Sequence, residues 1–224
     1  MQSISLIGYT FDKGVITYYT KIQQLNDKEL ECYIPCQITP YSVLLQEDDD
    51  ENTRHLVDGF FHVVTNNPNA IVLCDFYLEF LWEHIPFPGP ATIKKFESLL
   101  KALAIYGNLK WLVLCLSITK NIKILLDLLT KNSIPFAILS ETDRLELKKN
   151  LRINNDFELK EFQEQYVIFF NILSNLSKLG INGIIVDSEV LYLYIQRVNI
   201  NIPIIYTTDA HVKEVVNFIH NKQK

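Results

Sequence analysis

The stretch KWLVLCLSITKNIKILLDLLTKNSIPFAIL, residues 110–139, decides the fold. It opens on an apolar run at 110–117, passes through a helical pattern at Lys120–Lys131 and returns to a second apolar run at 134–139. Both runs are apolar on both faces, as strands are when helices cover each side of their sheet. The same unit recurs: apolar runs stand at 70–76 (AIVLCDF), 182–187 (NGIIVD) and 202–207 (IPIIYT). Helical patterns lie between them at Thr92–Tyr106, ended by Gly107, at Phe157–Leu179, ended by Gly180, at Ser188–Val198 and at Asp209–Asn221. Strands of this kind alternating with amphipathic helices predict an α/β fold, a parallel sheet wound with helices, because each crossover must pass over a face. A trimmed or degenerate TIM barrel and an open sheet both satisfy that pattern.

The N-terminal quarter reads differently. Residues 3–10 and 14–22 are short β-branched and aromatic runs joined by Asp12-Lys13-Gly14, which predicts a hairpin, and residues 30–45 continue in extended style. The expectation is a single α/β domain over 1–224, with a β-rich part at 1–46, an acidic loop at 47–52 within QEDDDEN, and strand-helix repeats over 53–224 that begin with a helix at 53–66. The segment 80–92 (FLWEHIPFPGPAT) holds three prolines and a glycine and reads as a loop. No fixed-period repeat is visible.

Composition narrows the function classes. With 224 residues, 48% of them hydrophobic, the chain has material for one sizeable core or two small ones. Asp and Glu number 26 against 21 Lys and Arg, so the electrostatic drive for general nucleic-acid binding is missing. The opening MQSISLIGYTFDKG lacks the features of a secretory signal, and no apolar run approaches the roughly 20 residues of a membrane span, so an intracellular chain, cytoplasmic or nuclear, with no membrane association is expected. Cys32, Cys36, Cys74 and Cys115 read as reduced thiols, the last two packed as small hydrophobes in strands.

In parallel sheets ligands gather at the C-terminal strand ends, and polar residues stand there in this chain. Asp75 ends the 70–76 run, Ser140 and Glu141 follow 134–139, Asp187 ends 182–187, and Thr207, Thr208 and Asp209 follow the last run. Asp187-Ser188 and Thr208-Asp209 also suit helix N-caps, whereas Asp75 has no such plain role and is the best acid for chemistry. Among the histidines, His84 sits two residues before Pro86, in reach of a strand-end cleft as a general base. Motifs for dinucleotides, P-loop phosphates and the α/β-hydrolase elbow are absent.

The pieces resemble a glycerophosphodiester phosphodiesterase domain, a TIM-barrel family, in its degenerate form. Glu51-Asn52-Thr53 before a helix, VLCDFYL where the family has a Glu-x-Asp metal pair, KWLVLCLSITKNIKILLDLL followed by IPFAILSE, and LGINGIIVDSEVL carry the resemblance. Asp75 matches the second acid. The departures are larger: Pro35-Cys36-Gln37 stands at the family's His-Arg-Gly, Leu73 at the first acid, and His84 is followed by Ile85 rather than Asp. The resemblance therefore implies a pseudoenzyme without cofactors, a regulatory or structural subunit binding a protein partner, for which the nearly all-apolar 188–198 helix is the candidate surface. The alternative it implies is a metal-dependent phosphodiesterase with Asp75, His84, Glu141 and Asp187 as catalytic residues and Asp75 and Glu79 holding Mg²⁺ or Ca²⁺.

Overall fold

The computed structural model describes residues 4–9, 13–30, 36–41, 68–83, 91–150, 179–197 and 200–221. The chain forms two compact units, one of residues 1–101 with 208–224 and the other of residues 102–207. The helices expected at 53–66 and, but for Leu179, at Phe157–Leu179 lie outside the described residues, as do the acidic loop 47–52, His84 and Cys32.

The first unit holds strands β1 (Ile4–Tyr9), β2 (Cys36–Tyr41), β3 (Ala70–Leu73) and β4 (Ala91–Ile93), all parallel, in the order β2-β1-β3-β4. Helix α1 (Lys13–Leu30) joins β1 to β2, α2 (Phe76–Trp82) follows β3, and α3 (Lys95–Ala104) follows β4. Every residue of β3 is buried, as a strand apolar on both faces requires. The core gathers Ile4, Leu6, Tyr18, Ile22, Val72 and, from the last helix of the chain, Val212, Val215, Val216 and Ile219.

The second unit repeats the plan with β5 (Trp111–Leu114), β6 (Phe136–Ile138), β7 (Gly183–Val186) and β8 (Ile204–Tyr206), parallel in the order β6-β5-β7-β8. Helix α4 (Lys120–Lys131) follows β5, α5 (Glu141–Asn150) follows β6, α6 (Glu189–Arg197) follows β7, and α7 (Thr207–Asn221) runs on from β8 without a loop. Helix α4 buries Ile122, Leu125 and Leu129, spaced by three and four residues on one face. Leu112, Leu114, Ile184, Val186, Leu191, Tyr194 and Ile195 form this unit's core.

The two sheets share one topology and one register. Ile7 pairs with Leu73 and Leu114 with Val186, and laying these pairs over each other matches Ile4 with Trp111, Ala70 with Gly183, Cys74 with Asp187 and Asp75 with Ser188. Through the fourth strands, where Val72 pairs with Ile93 and Ile185 with Ile205, Lys95 matches Thr207.

Parallel α/β architecture is as the sequence leads one to expect; two details differ. The expected hairpin is absent, because residues 14–22 belong to α1: Tyr18 and Ile22, one turn apart, both enter the core, and that burial outweighs the β propensity of the VITYYT run. The loop expected at 80–92 and the helix expected from Thr92 are likewise divided otherwise, with Phe80–Trp82 ending α2 and Ala91–Ile93 forming β4. Among the described residues no helix is long and apolar enough to cross a membrane.

Candidate functional site

In a four-stranded sheet of this order the chain starts in the middle, steps outward, then crosses to the other side. That leaves a crevice at the C-terminal ends of the two central strands. In the second unit those strands are β5 and β7, and a cleft of about 250 Å³ opens there, lined by Cys115, Leu116, Ser117, Thr119, Asn121, Ile122, Asp187 and Ser188 among others.

Local sequence builds the rim. Thr119 closes the N-terminus of α4 by accepting the Ile122 N–H at 3.3 Å, and Ser188 does the same for α6 through the Leu191 N–H at 3.5 Å. Capping thus falls to Ser188 and leaves Asp187 for another task. Both of its carboxylate oxygens are held: Asn121 Nδ2 donates to Oδ2 at 2.7 Å, and Thr207 Oγ1 donates to Oδ1. Thr207 itself is fully buried, so the carboxylate is fixed from the protein side. Burial pushes the Cys115 thiol up from its ordinary value, against the charge of the neighbouring Arg144 guanidinium and a hydrogen bond from it.

The matching position in the first unit is occupied by Cys74, a thiol in no disulfide, buried at the end of β3 with its Sγ 4.0 Å from the Val72 carbonyl oxygen. Asp75 follows as the N-cap of α2, its Oδ1 accepting the Leu78 N–H at 2.8 Å, which is the plain capping role that the sequence did not suggest. Lys95, the first residue of α3, is only 3% exposed, and its Nζ donates to the Cys74 carbonyl at 3.3 Å. Its ammonium lies 4.9 Å from the centre of the Phe76 ring and 5.9 Å from that of Tyr18.

Glu79 sends its carboxylate to the N-terminus of α3, accepting the N–H groups of Lys95 and, at 3.2 Å, of Phe96. Burial is the largest influence on it and lifts its pKa to about 8, against the pull of the Phe96 N–H and the Lys95 charge. His211 is fully buried, its Nε2 meeting the Ile93 carbonyl at 2.8 Å and its Nδ1 the Tyr18 hydroxyl at 2.9 Å. A carbonyl can only accept, so Nε2 carries the proton and Nδ1 accepts from Tyr18, the arrangement of a neutral imidazole. Burial accordingly pulls the His211 pKa down to about 3.

Of the acids expected to act together, Asp187 alone lines the cleft; Glu141 is exposed in the first turn of α5, and Asp75 and Glu79 serve helix N-termini in the first unit. Among the described residues no group of three or more His, Cys, Asp or Glu stands where it could hold a metal ion. Sequence reading placed Thr207 at a strand end without its bond to Asp187, and it missed Asn121, Lys95 and the strand-end place of Cys74. The signal available for the last was the shared pattern of apolar run, one reactive residue and one capping residue, VLCD and IVDS.

Two parallel four-stranded units of identical strand order define a known architectural class, a paired α/β fold. The particular likeness is to racemases. A candidate Asp/Glu racemase from Yersinia pestis is 18% identical, with a TM-score of 0.76 over 97% of this chain and 99% of that one. An aspartate racemase homologue from Pyrococcus horikoshii is 13% identical, with a TM-score of 0.77 over 98% of this chain and 100% of that one. Allantoin racemase from Klebsiella pneumoniae is 14% identical, with a TM-score of 0.61 over 99% and 89%. No family profile matches the chain, and no curated protein matches its sequence. At such identities the likeness fixes the fold and leaves the reaction to be argued from residues.

These findings overturn the glycerophosphodiester phosphodiesterase resemblance. The described strands lie in two open sheets of four, and the strand-helix-strand passages that suggested a barrel are common to any parallel α/β fold. The expectation of an inactive regulatory subunit falls with it. A missing His-Arg-Gly and acid pair bears on activity only in the barrel family, whereas the fold seen here is shared with racemase structures.

Proposed function

We propose that this chain is a racemase-type enzyme that moves a proton at a carbon next to a carboxyl or carbonyl group of a small acid or amide. The observation that carries the reading is the residue after the third strand of each sheet. In each sheet that residue is a side chain able to exchange a proton, the Cys74 thiol in one unit and the Asp187 carboxylate in the other. Likeness along nearly the whole chain to an aspartate racemase homologue and to an allantoin racemase supports it.

Racemisation needs a base to take the C–H proton while the bonding pair spreads onto the adjacent carbonyl, and an acid to return a proton to the opposite face. Thiols and carboxylates do both without a cofactor, and the reading uses none. Asp187 acts as the proton carrier of the second-unit cleft, held in orientation by Asn121 and Thr207, while the Ser117, Thr119 and Ser188 hydroxyls on the rim bind the polar end of the substrate. A cleft of about 250 Å³ suits a molecule the size of an amino acid.

The test incubates the purified chain in D₂O with enantiopure amino acids, aspartate and glutamate first, and with allantoin. Chiral chromatography and proton NMR follow the stereocentre. Loss of optical purity with deuterium entering at that carbon is expected for at least one substrate; no exchange in any of them overturns the reading.

A further inference from the structure

We infer that Cys115 is a further catalytic residue of the second-unit cleft, the thiol that meets the charge developing on the substrate's carbonyl oxygen, with Arg144 as the positioning residue beside it. The inference rests on the proposed racemase-type reading and supplies the partner that Asp187 needs there.

Taking a proton from carbon is half of the chemistry. As the C–H bond breaks, its electron pair runs toward the adjacent carbonyl, and a donor placed at that oxygen stabilises the charge as it arrives. Strand pairing sets where such a donor stands. Leu114 of β5 pairs with Val186 of β7, so Cys115 and Asp187 are the next residues on neighbouring strands, and both line the same cleft. Strands about 4.8 Å apart place the two within the span of one small substrate.

The residue beside the thiol is the second observation. Arg144, on α5, donates a hydrogen bond to the Cys115 sulfur and acts on it with its charge. Its Nε is buried without a hydrogen-bond partner, and among the described residues no ion pair engages the guanidinium. A cation with an unspent buried donor is costly to keep, and an anion that exists only during the reaction is an occupant that leaves the resting protein in this state.

The charged groups about the thiol are Arg144 from α5 and Asp187 from the end of β7, while α4 and α6 bring the neutral Thr119, Asn121 and Ser188 to the cleft. Burial, the largest influence on the thiol, keeps its proton on sulfur at neutral pH, and Arg144 opposes burial, so the proton leaves when an oxygen gaining charge is there to take it. The Asp187 carboxylate takes the C–H proton, the C–H pair becomes the C=C bond of an enol, and the carbonyl oxygen takes the proton from sulfur. The thiolate left behind lies against the guanidinium. When carbon regains a proton, the enol returns its own to sulfur and the carbonyl is restored.

The experiment uses the intact chain in D₂O with whichever substrate exchanges the hydrogen at its stereocentre. Cys115→Ala is expected to lower kcat at least about tenfold with little change in KM, and Cys115→Ser to restore part of the loss. The alkaline limb of the wild-type kcat profile reports loss of the sulfur proton. Arg144→Gln moves that limb to higher pH by roughly half a unit or more, and Arg144→Lys returns it. A purely structural role for either residue changes the rate at every pH and leaves the limb in place. Wild-type turnover in Cys115→Ala, or an unmoved limb in Arg144→Gln, overturns the inference. Should Cys115→Ala fail to fold, the wild type decides through iodoacetamide labelling read peptide by peptide. Exchange lost in step with labelling of Cys115, and slowed labelling in the presence of substrate, are the expected results. Exchange that survives full labelling of Cys115, exchange lost in step with Cys74 instead, or a Cys115 that the reagent never reaches overturns the inference. A chain that exchanges no substrate removes the racemase reading and this inference together, whereas exchange indifferent to Cys115 removes the inference alone.

Discussion

The two sheets of this chain have the same strand order and register, yet their central crevices differ in kind. In the first unit the strand end is dry: Cys74, Lys95, Glu79 and His211 are all buried, and two of the four have protonation states displaced by burial itself. In the second the strand end opens into a cleft where Asp187, the one carboxylate among the described lining residues, is held by neutral donors. Topology decides where a reactive group stands, and the residues packed around that place decide what it can do.

The comparison is broken most forcefully at the reactive positions. Asp187→Asn is expected to slow turnover of whichever substrate racemises by a hundredfold or more, the range typical of a lost general acid or base, with circular dichroism unchanged. Cys74→Ser is expected to do the same; a variant that keeps full turnover removes its residue from the chemistry.

Next come the cores. Ile7 and Leu114 occupy matching places, each 1% exposed, and truncating either to alanine is expected to cost about 2–5 kcal/mol in urea unfolding.

The dry strand end of the first unit gives stability a pH signature. Glu79 has a folded pKa of about 8 against 4.5 in the free state, so the folded chain binds the extra proton, and stability falls as pH rises between those values. His211 runs the other way: at about 3 when folded against 6.5 when free, it loses stability as pH drops through that window. Glu79→Gln is expected to abolish the alkaline-side loss, a difference on the order of a few kcal/mol by pH 8.5 in chemical denaturation, and to leave the acid side unchanged.

A smaller effect sharpens the comparison of packing. The first unit pairs Ile4 with Ala70, and the second pairs Trp111 with Gly183. A Cβ built on Gly183 would meet the Trp111 ring at 2.5 Å, so the larger partner is accommodated by the smaller residue opposite. Gly183→Ala is expected to cost roughly 1–3 kcal/mol, and Trp111→Ile in the same chain to recover part of it by recreating the first unit's pair. Smallest of all, Asp75→Ala and Ser188→Ala each remove a helix cap and should cost about 1 kcal/mol, with Ser188 below Asp75 because its bond is the longer, 3.5 Å against 2.8 Å.

Much of this was legible in the sequence where the chain follows one rule at a time. The runs at 70–76, 110–117, 134–139, 182–187 and 202–207 each contain a strand, and α4 spans Lys120–Lys131 as its periodicity requires. Legibility failed where two signals competed. Helix α1 carries β-branched residues on a chain segment whose Tyr18 and Ile22 answer to a helical face, and α2, FYLEFLW, is too short and too buried for periodicity to tell it from a strand. The repeat of the two units was hidden because it lives in pairing and register, with Ile against Trp and Cys against Asp at matching places. The site was half visible: Asp187 stood out as a strand-end acid, but Asn121 and Thr207 come to it from elements distant in sequence, and a lysine at a helix start gives no sign that it will be buried.

Helix α7 follows β8 directly, yet its Val212, Val215, Val216 and Ile219 complete the core of the first unit. A ribosome that has delivered residues 1–101 has therefore supplied the strands of that unit without the apolar face that closes it. Its sheet must wait, with Ile4, Leu6 and Val72 short of partners, until the second unit has been translated in full. Vectorial synthesis, which usually lets an amino-terminal unit fold first, here delivers the last helix of that unit after every strand of the later one.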